Sequence, residues 1–228
     1  MRLLVAETTS TARAASADLA RLGFLVTRAP DEETIRDFLI GAEQDALILD
    51  DRTDCPADRL VQAARQARPL MPVIIFAEGA DDDRRGALIA AGADHIIHDV
   101  FAPAEIALRI QAMVRRAAGY AGPGIDTGEI HLDPMTRSAM VVGTPIRLAR
   151  LEYEVLETLA LRPGRYVDRD TLMTQLYAWG DEPDAAIIEV YLSRIRRKIA
   201  DADGDPAMIE TAPGRGWRLR TIDQALAA

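Results

Sequence analysis

Five short apolar runs, each followed by an amphipathic stretch, constrain the first half of this chain more than any other feature. The runs are "RLLVA" (2–6), "FLVTR" (24–28), "ALILD" (46–50), "PVIIF" (72–76) and "HIIH" (95–98). Strands this apolar are buried on both faces, which predicts a parallel sheet rather than one with a wet side. Between and after them lie "STARAASADLARLG", "DEETIRDFLIG", "ADRLVQAARQA", "DDDRRGALIAAGA" and "PAEIALRIQAMVRR". Several of these open on an acid or hydroxyl and two run into glycine, the start and stop signals of helices. Five βα units up to residue 118 therefore predict a doubly wound α/β domain.

The pattern breaks at "AAGYAGPGIDTG" (117–128), rich in Gly and without periodicity. Residues 119–128 are expected to form an interdomain linker. Beyond it come three strand candidates, "EIHLD", "SAMVV" and "TPIRL". Helices are predicted over 150–161, 168–177 and 184–200, and "MIETAPGRGWRLR" has a hairpin signature. Strands, three helices and a closing hairpin predict an α+β winged helix-turn-helix over 129–222. A length of 228 residues suits two such domains. No apolar run approaches the roughly 18 to 20 residues that span a bilayer, and the start reads as a strand rather than a signal peptide. A cytoplasmic chain with no membrane partner is expected. Cys55, the single cysteine, excludes an internal disulfide and a Cys-rich metal site. His95, His98 and His131 lack metal-ligand spacing, and no nucleophile–base pair or phosphate-cradling glycine loop appears. Neither an enzyme nor a cofactor is expected.

The net charge of −9 argues against nucleic acid only if charge is spread evenly. Along 184–200, Ile188, Leu192, Ile195 and Ile199 recur at helical spacing and predict one buried stripe. Opposite or flanking it lie Val190, Tyr191, Arg194, Arg197 and Lys198, with Asp184 as the expected N-cap. One apolar and one Arg-rich face suit a helix laid in the major groove, where arginine grips guanine edges and phosphates. From this helix alone, a solvated cationic face fits equally well.

Residues 144–219, from "TPIRLARLEYEVLETLALRPG" to "IETAPGRGWRL", resemble the effector domain of OmpR/PhoB-type response regulators almost without gaps. "LYAWGDEPDAAIIEVYLSRIRRKI" and "IETAPGRGWRLR" carry a closer likeness to the cell-cycle regulator branch known as CtrA. The resemblance implies double-stranded DNA as partner, with Arg194 at a base-reading position and Tyr191 at a phosphate contact. It also brings Ser193 and Arg196 near the backbone, although Arg196 points away from Arg194 on a helical wheel. The family's wing places an arginine in the minor groove. Here Pro213 stands in that position and Arg215 lies two residues on, at the tip. Ala186 and Ile187 replace a polar pair near the helix start, which leaves the preferred DNA sequence open.

In the first half, "GADHIIHDVF" (92–101) resembles the "GADDYITKPF" segment that closes the phosphorylation site of receiver domains. This implies a (βα)5 flavodoxin-like receiver over 1–118. Such a pocket needs a nucleophilic carboxylate, acids for Mg²⁺, a hydroxyl for the phosphoryl group and a lysine to pair with it. By the resemblance, Asp50 holds the phosphoacceptor position and Glu7 one metal-ligating position. The second acid is replaced by Thr8, the switch hydroxyl by Ala77, the switch aromatic by Ile96, the lysine by Asp99 and the following proline by Val100. The chain's one lysine, Lys198, lies in the other half, so Arg52, Arg84 or Arg85 would have to substitute. A phosphoryl group brings nearly two negative charges, and Asp99 puts another where a positive one should offset them. Asp50 is therefore expected to be a solvated acid at a strand end rather than a working phosphoacceptor. Glu7 and Asp99 are expected to form a residual acidic pocket that holds Mg²⁺ poorly.

The resemblance further implies a homodimer through the fourth helix, fifth strand and fifth helix of the receiver. Arg85, Asp94, Glu105, Arg109 and Arg116 match positions used there, and His95 replaces an acid opposite residue 109. Exposed ion pairs contribute only about 0 to 1 kcal/mol each, so apolar area from Leu88, Ile89, Ile106 and Ile110, some of it core, is expected to carry the pairing. The function expected is a dimeric transcription regulator that acts independently of Asp50 phosphorylation, with RNA polymerase or another regulator as a further partner. Two alternatives stay open: a conventional phosphoswitch using Asp50, or a protein-interaction module with secondary DNA binding.

Overall fold

The structure, a computed structural model, describes residues 1–7, 9–51, 57–98, 102–177, 184 and 186–220. It divides into two units, Met1–Ala117 and Ala118–Ala228. The first runs β1 (Arg2–Ala6), α1 (Ser10–Arg21), β2 (Leu25–Ala29), α2 (Glu32–Gly41), β3 (Ala46–Asp50), α3 (Ala57–Ala67), β4 (Val73–Phe76), α4 (Asp82–Ala90), β5 (His95–Ile97) and α5 (Pro103–Ala117). Its sheet has the order β2-β1-β3-β4-β5, with every neighbouring pair parallel. The strand order reverses between β1 and β3, the place where such sheets open a crevice at their carboxyl ends. Glu7, Asp50 and Asp51 follow or close those two strands, so the fold gathers them on one rim.

Alternation sorts the strand residues between two faces. Leu4, Ala6, Leu47, Leu49, Val73 and Ile75 join Ile35 and Leu39 of α2, Leu60 and Val61 of α3, and Leu88 of α4 in one core. The alternate residues Leu3, Val5, Ile48, Ile74 and Phe76 are equally buried on the other side, where α1 and α5 touch. Thr9, Asp31 and Asp81 cap α1, α2 and α4 through their side chains, each cap contributing about 1 kcal/mol. This packing changes the expected dimer surface. Leu88 is wholly buried, Ile106 and Ile110 belong to the core as well, and Ile89 alone of the four is exposed. One residue step turns a helix by about 100°, which is enough to put Leu88 inside and Ile89 outside.

The second unit begins with an antiparallel sheet in chain order: β6 (Ile125–Asp126), β7 (Ile130–Asp133), β8 (Ser138–Val141) and β9 (Thr144–Ile146). There follow α6 (Arg150–Ala160), α7 (Arg169–Leu176), α8 (Ile187–Ala200), a 3-10 turn (Pro206–Met208) and the hairpin β10 (Ile209–Ala212) and β11 (Gly216–Leu219). Val167 bridges to Trp217 and so adds a third strand position to the hairpin. The stretch expected to be a linker is built into this unit. Ile125 pairs with Leu132, and the buried Tyr120 donates its hydroxyl to the Ala160 carbonyl at 2.7 Å. A two-residue strand is too short to show periodicity, and the glycines around it read as linker.

Ile188, Leu192, Ile195 and Ile199 form the buried stripe of α8, against α6 and α7. Asp184 is not the N-cap: Ala186 holds that position. Asp184 instead shapes the turn before it, its carboxylate accepting from the Ala186 amide and its carbonyl from Ile187. No helix among the described residues is long and apolar enough to cross a membrane.

Candidate nucleic-acid interface and acidic pocket

With one stripe of α8 buried, the opposite stripe is set by the helical period. Glu189, Val190, Ser193, Arg194 and Arg197 are all exposed along it. Both arginines are exposed, and neither Arg194 nor Arg197 makes a side-chain hydrogen bond among the described residues. Glu189, the one acid on this face, is ion-paired with Arg169 at the start of α7. The face therefore presents two uncommitted arginines flanking an apolar Val190 and a hydroxyl, the donor and methyl-contact chemistry that reads a major groove.

Three other residues of this helix expected to contact DNA are committed to the protein, among them Arg196, which does point away from Arg194. Arg196 donates to the Ile209 carbonyl at 2.6 Å and to the Thr211 hydroxyl at 2.7 Å, clamping α8 to the base of the hairpin. Burial lowers its pKa. Tyr191 shares a 2.9 Å hydroxyl–hydroxyl bond with Tyr177. Lys198 reaches back to Glu152 on α6 at 2.5 Å, with side-chain exposures of 27% and 3%. Glu152 also accepts from the Ala149 amide, so one carboxylate closes the start of α6 and ties α8 to it. Burial pushes the Glu152 carboxyl up, but the Lys198 ammonium and the Ala149 amide outweigh it, and the carboxyl titrates below its usual range.

A lowered carboxylate contributes stability that is present above its unfolded pKa and lost as pH falls through the folded one. Lys198→Met is accordingly expected to cost about 1 to 3 kcal/mol at neutral pH by stranding a buried carboxylate. The gap to the wild type should narrow in acid, where Glu152 is protonated in both. Urea unfolding at the two pH values measures this, and a gap independent of pH would remove the ion pair as its cause.

At the hairpin turn, Arg215 is exposed, with its guanidinium 4.6 Å from the centre of the Tyr166 ring. Glu210 and Arg218 face each other across β10 and β11 and pair at 2.6 Å.

On the rim of the first unit, Asp50 is not a solvated acid but wholly buried. Its backbone pairs with Phe76 of β4, and the Thr9 hydroxyl donates to its Oδ2. Glu7 is drawn the other way, to Arg28 at 3.1 Å. Arg84, a candidate substitute for the missing lysine, forks onto Asp51 at 2.5 Å and also reaches Asp58 at 3.1 Å. Those carboxylates raise its pKa, and Arg84 in turn lowers that of Asp58. Arg85 donates to the Ala80 carbonyl at 2.6 Å and pairs with Asp82. At the switch position, the Ala77 methyl is buried, and Ile96 packs partly buried against the core. Thr8, Arg52, Asp99 and Val100 lie outside the described residues. The one signal in the sequence for Thr9 as a partner of Asp50 is its place directly after Glu7 and Thr8, the two metal-ligating positions of the resemblance.

Asp94, His95, Glu105, Arg109 and Arg116 line one open groove of about 840 Å³ beside β5 and α5, with Leu70 and Leu108 exposed along it. Several of these charges have partners within the unit. Asp94 accepts from Arg65 at 2.5 Å and from the Val73 amide at 2.7 Å. Glu105 pairs with Arg109 one turn on, at 2.6 Å, and Arg116 donates to the Ala112 carbonyl at 3.2 Å. Burial, and then the nearby Arg109, lowers the His95 pKa.

Residues 143–219 match the family model described as transcriptional regulatory protein, C terminal. Over 184 residues the chain is 32% identical to the cell cycle response regulator CtrA of Brucella ovis, covering 79% of this chain and 78% of that protein. CtrA of Brucella anthropi matches at the same identity and over the same length. Among solved structures, the response regulator DrrB, a Thermotoga maritima OmpR/PhoB homolog, is 24% identical with a TM-score of 0.43, over 96% of this chain and 98% of that one. The DNA-binding domain of Klebsiella pneumoniae RstA, in complex with the RstA box, is 29% identical with a TM-score of 0.38, over 43% of this chain and 98% of that one.

Proposed function

Because this chain belongs to the OmpR/PhoB-type response regulators, near CtrA, we propose that it regulates transcription by sequence-specific binding of double-stranded DNA, as a homodimer that does not depend on phosphorylation of Asp50. The family consists of DNA-binding transcription regulators rather than enzymes. The observation that carries the reading is the exposed stripe of α8, where Val190, Ser193, Arg194 and Arg197 lie side by side with the arginine donors uncommitted. Arg194 reads base edges, Ser193 and Arg197 approach the phosphates, and Arg215 contacts the strand beside the wing. Arg196 and Lys198 hold the helix in place for them. Action in the cytoplasm follows from DNA as the partner, with RNA polymerase or another regulator as the next component.

Independence from phosphate rests on the pocket's chemistry. Asp50 is enclosed and hydrogen-bonded by Thr9, a methyl stands at the Ala77 hydroxyl position, and Arg84 is held by two carboxylates. Adding nearly two negative charges to a buried carboxylate is strongly unfavourable without a cation to receive them, and Arg84 and Arg85, the candidate cations among the described residues, are already held by other partners. Pairing of two copies is assigned to the groove between β5 and α5, where exposed Leu108 supplies apolar area among charged neighbours. Asp50→Asn, which keeps the shape and the Thr9 bond, is expected to leave DNA affinity and dimerisation unchanged. Acetyl phosphate with Mg²⁺ should leave no acyl phosphate on the wild type. Stoichiometric labelling of Asp50 with a gain in DNA affinity would restore the conventional phosphoswitch.

A further inference from the structure

Two arginines of the wing converge on one aromatic ring. Arg215 lies 4.6 Å and Arg218 4.7 Å from the centre of the Tyr166 ring, both within cation–π range. The register explains the meeting. Val167 exchanges both backbone hydrogen bonds with Trp217, at 2.7 and 2.9 Å, which sets Tyr166 opposite Arg218. Arg215, exposed at the turn, comes back over the same half-buried ring.

The two cations differ in what else they touch. Arg218 is neutralised by Glu210 across the hairpin. Arg215 has no carboxylate partner among the described residues, and an uncharged ring holds it. The distinction matters chemically. A carboxylate occupies the in-plane N–H donors of a guanidinium and cancels its charge, whereas an aromatic face contacts the plane and leaves the five edge donors and the charge available. A long, mobile arginine at a hairpin tip is thereby given a preferred place without being used up, which reduces the entropy lost when it binds an anion.

We propose that Tyr166 is a positioning residue that presents Arg215 to the DNA strand alongside the groove read by α8. This rests on the DNA-binding reading above and deepens it: wing contact is assigned to an arginine at the tip and to the ring that steadies it. Tyr166 acts through Arg215 and touches no base itself.

The test uses the full chain and a duplex enriched from a random pool with the wild type. Tyr166→Ala is expected to weaken binding about fivefold, while Tyr166→Phe, which keeps the π face, binds like the wild type. Arg215→Ala should weaken binding at least as much and lower the dependence of log affinity on log salt by about one. The double variant should bind no more weakly than Arg215→Ala alone, because both changes remove one interaction. If Tyr166→Ala melts early, Tyr166→Leu keeps the bulk without the quadrupole and carries the same expectation. Additive losses, a Phe variant as weak as the Ala variant, or a harmless Tyr166→Ala beside a costly Arg215→Ala would each overturn the role of Tyr166 and leave DNA binding standing. A wild type that enriches no duplex would instead bring down the DNA-binding reading, and this proposal with it.

Discussion

Replacing Arg194 by alanine is expected to weaken specific DNA binding by about 1 to 3 kcal/mol, roughly five- to 150-fold, with the fold intact. Arg194 is exposed on α8 and makes no side-chain hydrogen bond among the described residues. Among the described residues it makes a minor electrostatic contribution at Glu152, ranked below Lys198 and the Ala149 amide. Truncating such a surface side chain moves stability by about half a kcal/mol at most, so a large loss of affinity has to come from the DNA side. Base reading and phosphate contact leave different signatures. Losing a bidentate contact to a base lowers affinity for the selected site more than for random DNA, whereas losing a phosphate contact lowers both together. Arg194→Lys should also fail to restore selectivity, because an ammonium cannot present the paired donors. Binding curves on selected and random duplexes separate these cases, and an unchanged ratio between them would move Arg194 from reading bases to gripping the backbone.

Periodic features of this chain could be read from its residues, and those that depend on distant partners could not. The five parallel strands fall within a residue or so of the apolar runs, since runs buried on both faces leave few alternatives. The buried stripe of α8 follows from spacing alone. The assignment of its cations does not. Lys198 and Arg197 are adjacent and both basic, yet one faces solvent and the other Glu152, a partner on α6 that only packing reveals. Arg196 is likewise claimed by Ile209 and Thr211 of the hairpin. Asp50 reads as a solvated acid at a strand end, yet it is buried and accepts from Thr9, a residue 41 positions away in sequence. Asp94 matched a family surface position but is held by Arg65. Tyr166 carried no signal at all, because it lies in a loop far in sequence from both of its arginines.

Gly216→Ala should be among the most damaging single changes in the second unit, and a matched control makes the reason testable. Gly216 sits at φ +101°, and a β-carbon there would overlap the Val167 carbonyl oxygen and lie 2.7 Å from the Asp168 Cα. These obstacles are backbone, so no side chain can swing aside. The left-handed conformation costs an L-residue about 1 to 2 kcal/mol. Relieving the overlap means opening the Val167–Trp217 bridge, two backbone bonds worth about 1 kcal/mol each. A total of about 3 to 4 kcal/mol follows from these terms. Gly214, at φ +72° in the same turn, has nothing within 4 Å of such a carbon. Gly214→Ala should therefore cost only the conformational part. Urea unfolding of the two variants isolates the close approach from the backbone angle. Because the bridge also sets Tyr166 against Arg218, the Gly216 variant should lose the wing's share of DNA affinity under conditions where it remains folded, and the Gly214 variant should keep it. Equal costs for the two substitutions would show that the wing is not held by this approach of backbone to backbone.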